Sequence, residues 1–303
     1  MTSVLRGPRV SVVLRLRAGF PAGPTLASLE AQTFGDYEVL VVGEGAGEVA
    51  ALAADPRVRA LLREPESGSL AARNRGVTAA RAEWVAFLDA GDTWREDHLA
   101  ELVAATRFGD AVAVFGNPVL GEGGRPLLPM SVPPGRISDP FDFALRIGAA
   151  PFRASAALVE RAAAIDAGLF PARCGGGSDL DLWGRLALQG PFRFVARPTL
   201  VVARAVPSRR VPPPPLLAAT LKTLLDEGAV PAELAPSVRR CRNRLVLDHA
   251  RTLAALGRAA EARSILARDC IPGLDPARYL AVLARAWRAG WGWPAPRALA
   301  GSP

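Results

Sequence analysis

The sequence predicts an α/β fold, a mostly parallel sheet sandwiched by helices, followed by a helical C-terminal appendage. Three observations predict it. Tyr37–Val42 and Trp84–Leu88 are almost continuously apolar, the pattern of parallel strands covered on both faces. Such runs alternate with segments of helical periodicity at the spacing of strand–helix–strand units. Pro207–Pro215, with four successive prolines, reads as a stiff linker. It predicts a first domain over 1–205, a linker over 206–215 and a basic helical region over 216–303.

Taken in order, Arg9–Arg17 is rich in β-branched residues and reads as the first strand. Thr25–Gln32 reads as a short helix and Tyr37–Val42 as the second strand. Val49–Ala54 reads as helix, Val58–Leu62 as a third strand and Ser69–Ala80 as helix. Trp84–Leu88 is a buried-type strand ending at Asp89. A helix over His98–Thr106 and a strand over Ala111–Phe115 follow. Residues 116–140, rich in Gly and Pro, read as an irregular excursion. Phe141–Ile147, Leu158–Ala167 and Asp179–Gln189 read as helices, and Phe192–Val202 as the last strand. Beyond the prolines the pattern is helical.

Half of the 303 residues are apolar and 22% are charged, which excludes disordered, coiled-coil and fibrous classes. No run approaches the roughly 18 apolar residues of a membrane span, and MTSVLRGPRVSVVL does not read as a signal peptide. Cys174, Cys241 and Cys270 are odd in number and lack CxxC spacing, so neither a disulfide framework nor a zinc site is expected. A cytoplasmic location is the expectation. Residues 1–205 hold 22 basic and 22 acidic side chains, so the whole charge of +8 falls in the last third. Thirty-six of the 37 basic residues are arginine, the exception being Lys222. A basic end favours anionic surfaces. Trp287, Trp291 and Trp293 near Arg285 and Arg288 admit peripheral contact with the inner face of a membrane, against the plainer reading that Leu280, Leu283 and Trp287 pack on preceding helices. No nucleic-acid partner is expected.

In open parallel sheets ligands bind at the carboxyl ends of the strands. Leu14-Arg15-Leu16-Arg17, Gly43-Glu44-Gly45, Arg73-Asn74-Arg75-Gly76 and Asp89-Ala90-Gly91-Asp92 all fall there. Asp89 ends an apolar strand, a costly place for a carboxylate without a cation or donor partner. Acids at such an edge suit Mg²⁺ or Mn²⁺ holding a diphosphate, or simply cap the next turn. Arg73 suits a phosphate, or a solvated helix face. In Gly175-Gly176-Gly177-Ser178-Asp179-Leu180-Asp181 the glycines loosen a loop before a helix. Its acids either complement the helix dipole or supply a general base.

The order and spacing of these features resemble family 2 glycosyltransferases, whose fold is the GT-A type of Rossmann-like sheet. Val10-Ser11-Val12-Val13 is similar to their opening strand, and Leu29-Glu30-Ala31-Gln32-Thr33-Phe34-x-Asp36-Tyr37-Glu38-Val39 to their S-x-x-x-Q-T-x-x-x-x-E-I segment. Gly68-x-x-x-Ala72-Arg73-Asn74-x-Gly76 resembles G-x-x-x-A-R-N-x-G. Glu83-Trp84-Val85-Ala86-Phe87-Leu88-Asp89-Ala90-Gly91-Asp92 resembles G-E-Y-I-A-F-L-D-A-D-D, and Gly177-Ser178-Asp179-Leu180-Asp181-Leu182-Trp183 resembles G-E-D-x-D-L-W. The likeness covers about residues 8–202.

The resemblance implies an inverting glycosyltransferase of hexosyl type using a nucleotide-diphosphate sugar and a glycan, lipid-linked or protein acceptor. Asp179 would be the catalytic base. Arg15, Glu44, Arg73, Asn74 and Asp89 would bind the nucleotide sugar. Asp89 and Asp92 would hold Mn²⁺ or Mg²⁺, with Ser178, Asp181 and Trp183 at the acceptor or supporting the site from behind. Four positions depart from the family pattern: Leu14–Arg17 replaces Pro-x-Tyr-Asn, Gly43-Glu44 replaces paired aspartates, Gly91 replaces the second acid of D-x-D, and Ser178 replaces glutamate. Asp92 substitutes for position 91 only if the turn rotates it inward. The alternative reading is a catalytically weakened homologue that binds nucleotide or scaffolds glycan assembly.

Overall fold

A computed structural model describes residues 7–16, 20, 22–43, 56–63, 68–121, 123–148, 152–171, 179–203 and 213–290. The described chain divides into two units, one ending at 203 and one beginning at 213. The helix expected over Val49–Ala54, and most of the proline run, lie outside the described residues.

The first unit is a mixed sheet. Its strands are β1 (Val10–Leu16), β2 (Tyr37–Gly43), β3 (Val58–Arg63), β4 (Trp84–Asp89), β5 (Thr93–Trp94), β6 (Ala113–Leu120), β7 (Gly135–Ile137), β8 (Ala157–Glu160) and β9 (Phe192–Val202). They run in the order β3-β2-β1-β4-β8-β6-β9-β5, with β7 against β9. β1, β2, β3 and β4 are mutually parallel, β6 is parallel to β9, and β8 is inserted antiparallel between β4 and β6. Every residue of β1 is buried, as expected of a strand with helices over both faces.

The helices of this unit are α1 (Gly23–Glu30), α2 (Gly68–Ala79), α3 (His98–Thr106), α4 (Pro140–Ile147), α5 (Arg161–Asp166) and α6 (Asp179–Gln189). The core joins Val12, Leu14, Val39 and Leu88 to Leu99, Leu102 and Trp94. Two expectations need correction. Leu158–Ala167 is not one helix: Ala157–Glu160 completes the sheet, because Leu158 and Val159 are fully buried between two strands, and only Arg161–Asp166 is helical. Residues 116–140 are not wholly irregular: β6 runs on to Leu120 and Gly135–Ile137 pairs with β9.

The second unit holds α7 (Leu216–Asp226), α8 (Ala235–Ala255), α9 (Ala259–Asp269) and α10 (Pro276–Gly290). Leu247, Ala250 and Leu253 of α8 pack with Ala262 and Leu266 of α9 and with Val282 and Ala286 of α10. The face of α10 that packs is therefore Val282 and Ala286 with Leu283 beside them. Leu280 (62% exposed) and Trp287 (51%) look outward, contrary to the packing stripe read from the sequence. No helix among the described residues is long and apolar enough to cross a membrane.

Candidate active site

Local sequence builds one edge of the first unit in four steps. Arg15 and Asp89 are register partners on the parallel strands β1 and β4. Both sit at the carboxyl ends, where a doubly wound sheet opens to a ligand. The Arg15 guanidinium is bidentate on Asp89, with Nε to Oδ1 at 2.8 Å and an Nη to Oδ2 at 2.5 Å. Arg15 is 7% exposed, so a charge in an all-buried strand has a neutralising partner beside it.

The second step is the seating of α2. A Cβ at Gly76 would stand 2.5 Å and 2.7 Å from the two methyls of Val13, so glycine lets the helix lie directly on β1. One turn earlier, Arg73 reaches over the strand end. One of its terminal nitrogens donates to Asp89 Oδ2 at 2.5 Å and the other to Asp179 Oδ1 at 2.7 Å, at the start of α6. Its buried Nε–H meets no acceptor among the described residues. Burial works against the Arg73 charge, yet Asp89 and Asp179 outweigh it and raise the pKa further. Burial likewise pushes the Asp89 carboxyl up, but the Arg73 and Arg15 charges hold it below the usual carboxylate range.

The third step is the turn after β4. Gly91 has φ +96°, a left-handed conformation that a side chain rarely adopts. The turn is pinned to α1: the Gly91 N–H donates to Thr25 Oγ1 at 3.0 Å, and the Thr25 hydroxyl donates to the Asp92 carbonyl at 2.8 Å. Gln32 extends the clamp by donating to the Arg95 carbonyl and accepting from the Leu99 N–H. The turn does bring Asp92 inward. Its Oδ1 accepts from the Ala203 N–H at 3.0 Å. Burial raises the Asp92 pKa and Asp89 adds to the rise, against the opposing pull of Ser155, the Ala203 amide and Arg153.

The fourth step is the opposite wall. Phe152, Arg153 and Ser155 close a cavity of about 220 Å³ with Arg73, Asp89, Asp92 and Asp179. Ser155 is buried and its hydroxyl accepts from the Asp89 N–H at 3.3 Å. Arg153 is exposed and makes no ion pair among the described residues. The sequence reading missed these residues: a lone Phe-Arg-Ala-Ser follows no glycine or strand signal that would mark it.

Of the expected site residues, Arg73, Asp89, Asp92 and Asp179 share one cavity, with Arg15 behind Asp89. Glu44 and Ser178 lie outside the described residues. Three others go elsewhere. The Asn74 amide spends both ends on Phe170, donating to its carbonyl at 2.7 Å and accepting from its N–H at 2.9 Å. Phe170 in turn packs edge-on against Phe87 and under the Arg73 guanidinium, so Asn74 braces a wall. Asp181 is 3% exposed and ion-paired with Arg185 at 2.8 Å, one turn along the helix. Trp183 is 2% exposed within the core. Neither faces the cavity.

The residues at this edge do not fit a divalent cation. Asp89 has both oxygens committed to guanidinium groups, and Asp92 has one oxygen on a backbone amide. Position 91, where a second acid would stand, carries a glycine at positive φ. No cluster of three or more Asp, Glu, His or Cys suited to a metal occurs among the described residues. Asp89 and Asp92, the expected metal ligands, thus stand in hydrogen bonds to guanidinium groups and to a backbone amide.

Residues 22–159 match the model of glycosyl transferase family 2. Over 92 residues the chain is 41% identical to the succinoglycan biosynthesis protein ExoW of Rhizobium meliloti (strain 1021), covering 27% of this chain and 29% of that one. It is also 32% identical over 92 residues to the glycosyltransferase GlyG of Streptococcus pneumoniae serotype 4, covering 28% of this chain and 31% of that one. The matched segment thus spans under a third of these curated relatives. Among solved structures, S. aureus TarS 1–349 in complex with UDP-GlcNAc aligns with TM-score 0.66 at 12% identity, covering 93% of this chain and 92% of that one. The mannosyltransferase PcManGT of Pyrobaculum calidifontis, in complex with GDP-Man and Mn2+, aligns with TM-score 0.58 at 22% identity, covering 95% and 88%. At these identities the likeness is one of fold.

Proposed function

We propose that this chain, which matches glycosyl transferase family 2 over residues 22–159 and shares its sheet with glycosyltransferases of known structure, is a glycosyltransferase, that the cavity over Asp89 takes a nucleotide-diphosphate sugar and that Asp179 is the general base of an inverting transfer. One observation carries this reading: a single guanidinium, Arg73, binds both the strand-end acid and the acid that opens α6, on the wall of one cavity. A cation placed between a candidate base and the donor side suits a reaction in which one oxygen loses a proton while another gains negative charge.

In this mechanism an acceptor hydroxyl of a glycan, lipid-linked or protein substrate attacks the anomeric carbon from the face opposite the diphosphate. The new C–O bond forms as the bond to the diphosphate oxygen breaks with its electron pair, and the hydroxyl proton passes to Asp179. Arg73 holds Asp179 by Oδ1 only, and Oδ2 has no donor among the described residues, so one oxygen is open to the proton. Configuration at the anomeric carbon inverts because attack and departure are on opposite faces. The relatives' succinoglycan role and the UDP-GlcNAc and GDP-Man of the neighbours support a hexosyl donor and polysaccharide synthesis. The outward Leu280 and Trp287, with Arg263 stacked over the Trp287 ring, support peripheral membrane contact by the second unit.

The test is a panel of UDP- and GDP-sugars, each scored for release of nucleoside diphosphate and, by proton NMR, for the anomeric configuration of the product. Release from at least one donor, with inversion, is expected. No release from any donor contradicts the reading, and retention contradicts the mechanism.

A further inference from the structure

The acid that would hold a cation in a D-x-D site faces fixed cations here. Arg15 lies in the interior of β1, paired in register with Asp89, and has no solvent to withdraw to at 7% exposure. Arg73 closes on the same carboxylate from α2. Two guanidinium groups thus supply the two positive charges that one divalent ion would bring. Gly91 seals the arrangement: a Cβ there would stand 3.1 Å from the Phe20 ring and 3.4 Å from the Ala203 Cβ, on a backbone at φ +96°. Across the cavity Arg153 is an exposed guanidinium with no ion pair among the described residues, and guanidinium is the side chain best matched to phosphate oxygens.

We propose that this chain meets the donor's diphosphate with its own arginines and needs no divalent cation. The inference rests on the glycosyltransferase reading and deepens it. Arg15 keeps Asp89 neutralised, while Arg73 and Arg153 face the phosphate oxygens. The base and the leaving group are coupled through Arg73. As Asp179 takes the acceptor proton it loses its charge, and the Arg73 nitrogen it held is released to the negative charge developing on the departing diphosphate. Proton, electron pair and counter-charge move together, with no species outside the chain and its substrates.

The test is calorimetric titration of UDP and GDP into the full chain, stripped with EDTA, in parallel buffers holding EDTA or Mn²⁺. For the nucleotide that binds, the two affinities are expected to agree within about threefold. Binding only with Mn²⁺, or tightening by more than about tenfold, overturns this proposal and leaves the glycosyltransferase reading standing. Binding of neither nucleotide in either buffer overturns both. Arg153→Ala, at an exposed position, is expected to weaken binding in EDTA by about tenfold with the melting temperature unchanged, and Arg153→Lys to recover part of the loss. Unchanged affinity in Arg153→Ala removes Arg153 from the proposal and so contradicts it.

Discussion

Arg15 and Asp89 face each other across adjacent parallel strands, joined by two hydrogen bonds that close a planar fork. Neither residue is at home in a buried strand alone. Together they place a fixed, neutralised carboxylate at the sheet edge, to which Arg73 adds a third hydrogen bond and the link to Asp179.

Arg15→Met removes one member of this pair and leaves Asp89 with Arg73 alone. Breaking a buried pair from one side costs about 3–5 kcal/mol. The urea midpoint is expected to fall accordingly, and Arg15→Met with Asp89→Leu together to lose less than the two single changes summed. A strictly additive double variant contradicts the coupling.

Gly91→Asp restores the acid of a D-x-D motif but forces a side chain onto φ +96° against Phe20 and Ala203. The strain is about 1–3 kcal/mol. Thermal melts are expected to show a similar loss for Gly91→Asp and Gly91→Ala, since backbone rather than charge decides it. An unchanged melting temperature in both contradicts the assignment.

Asn74→Ala deletes two hydrogen bonds to the Phe170 backbone. A cost of about 2 kcal/mol is expected in chemical denaturation. Nucleotide affinity measured in the same variant should change by less than about threefold. A large loss of affinity at unchanged stability would return Asn74 to the nucleotide.

Much of this was legible in sequence, for particular reasons. Nearly continuous apolar runs announce β2 and β4, and β-branched residues announce β1, because strands buried on both faces have little polar side to show. Asp89 and Asp179 stood out as acids at an apolar strand end and after a glycine-rich loop. What one chain read linearly cannot display is pairing across it. Nothing in Leu14-Arg15-Leu16 says that Arg15 faces Asp89, 74 residues away. Nor does Leu158-Val159-Glu160 say that it is a strand until β4 and β6 flank it. Arg153 and Ser155 escape a linear reading for the same reason, and the partners of Asn74 and Asp181 escape it because a polar side chain near a motif looks alike whether it meets a ligand, a backbone or another side chain.

His98 makes the stability of the fold depend on pH. It is fully buried, stacked on Trp94 at 4.6 Å and hydrogen-bonded through Nδ1 to the Thr199 hydroxyl, and burial lowers its pKa from 6.5 to about 3. Below pH 6.5 the unfolded chain takes up a proton that the folded chain refuses, so stability falls as pH falls. Between pH 7 and 4.5 the loss is about 2–3 kcal/mol. His249, the other histidine, is also lowered by burial and acts in the same direction. Urea midpoints at both pH values are expected to converge in His98→Asn relative to the parent chain. An identical acid slope in the variant contradicts the role of His98.

Turnover of Asp179→Asn on the donor that the panel identifies bears most directly on the chemistry. An amide in place of the carboxylate keeps the shape beside Arg73 and removes the seat for the proton. The expected result is a fall of about 10²–10⁴-fold in kcat, with nucleoside-diphosphate affinity held within about threefold. Equal turnover in the two proteins would show that the acceptor's proton goes elsewhere.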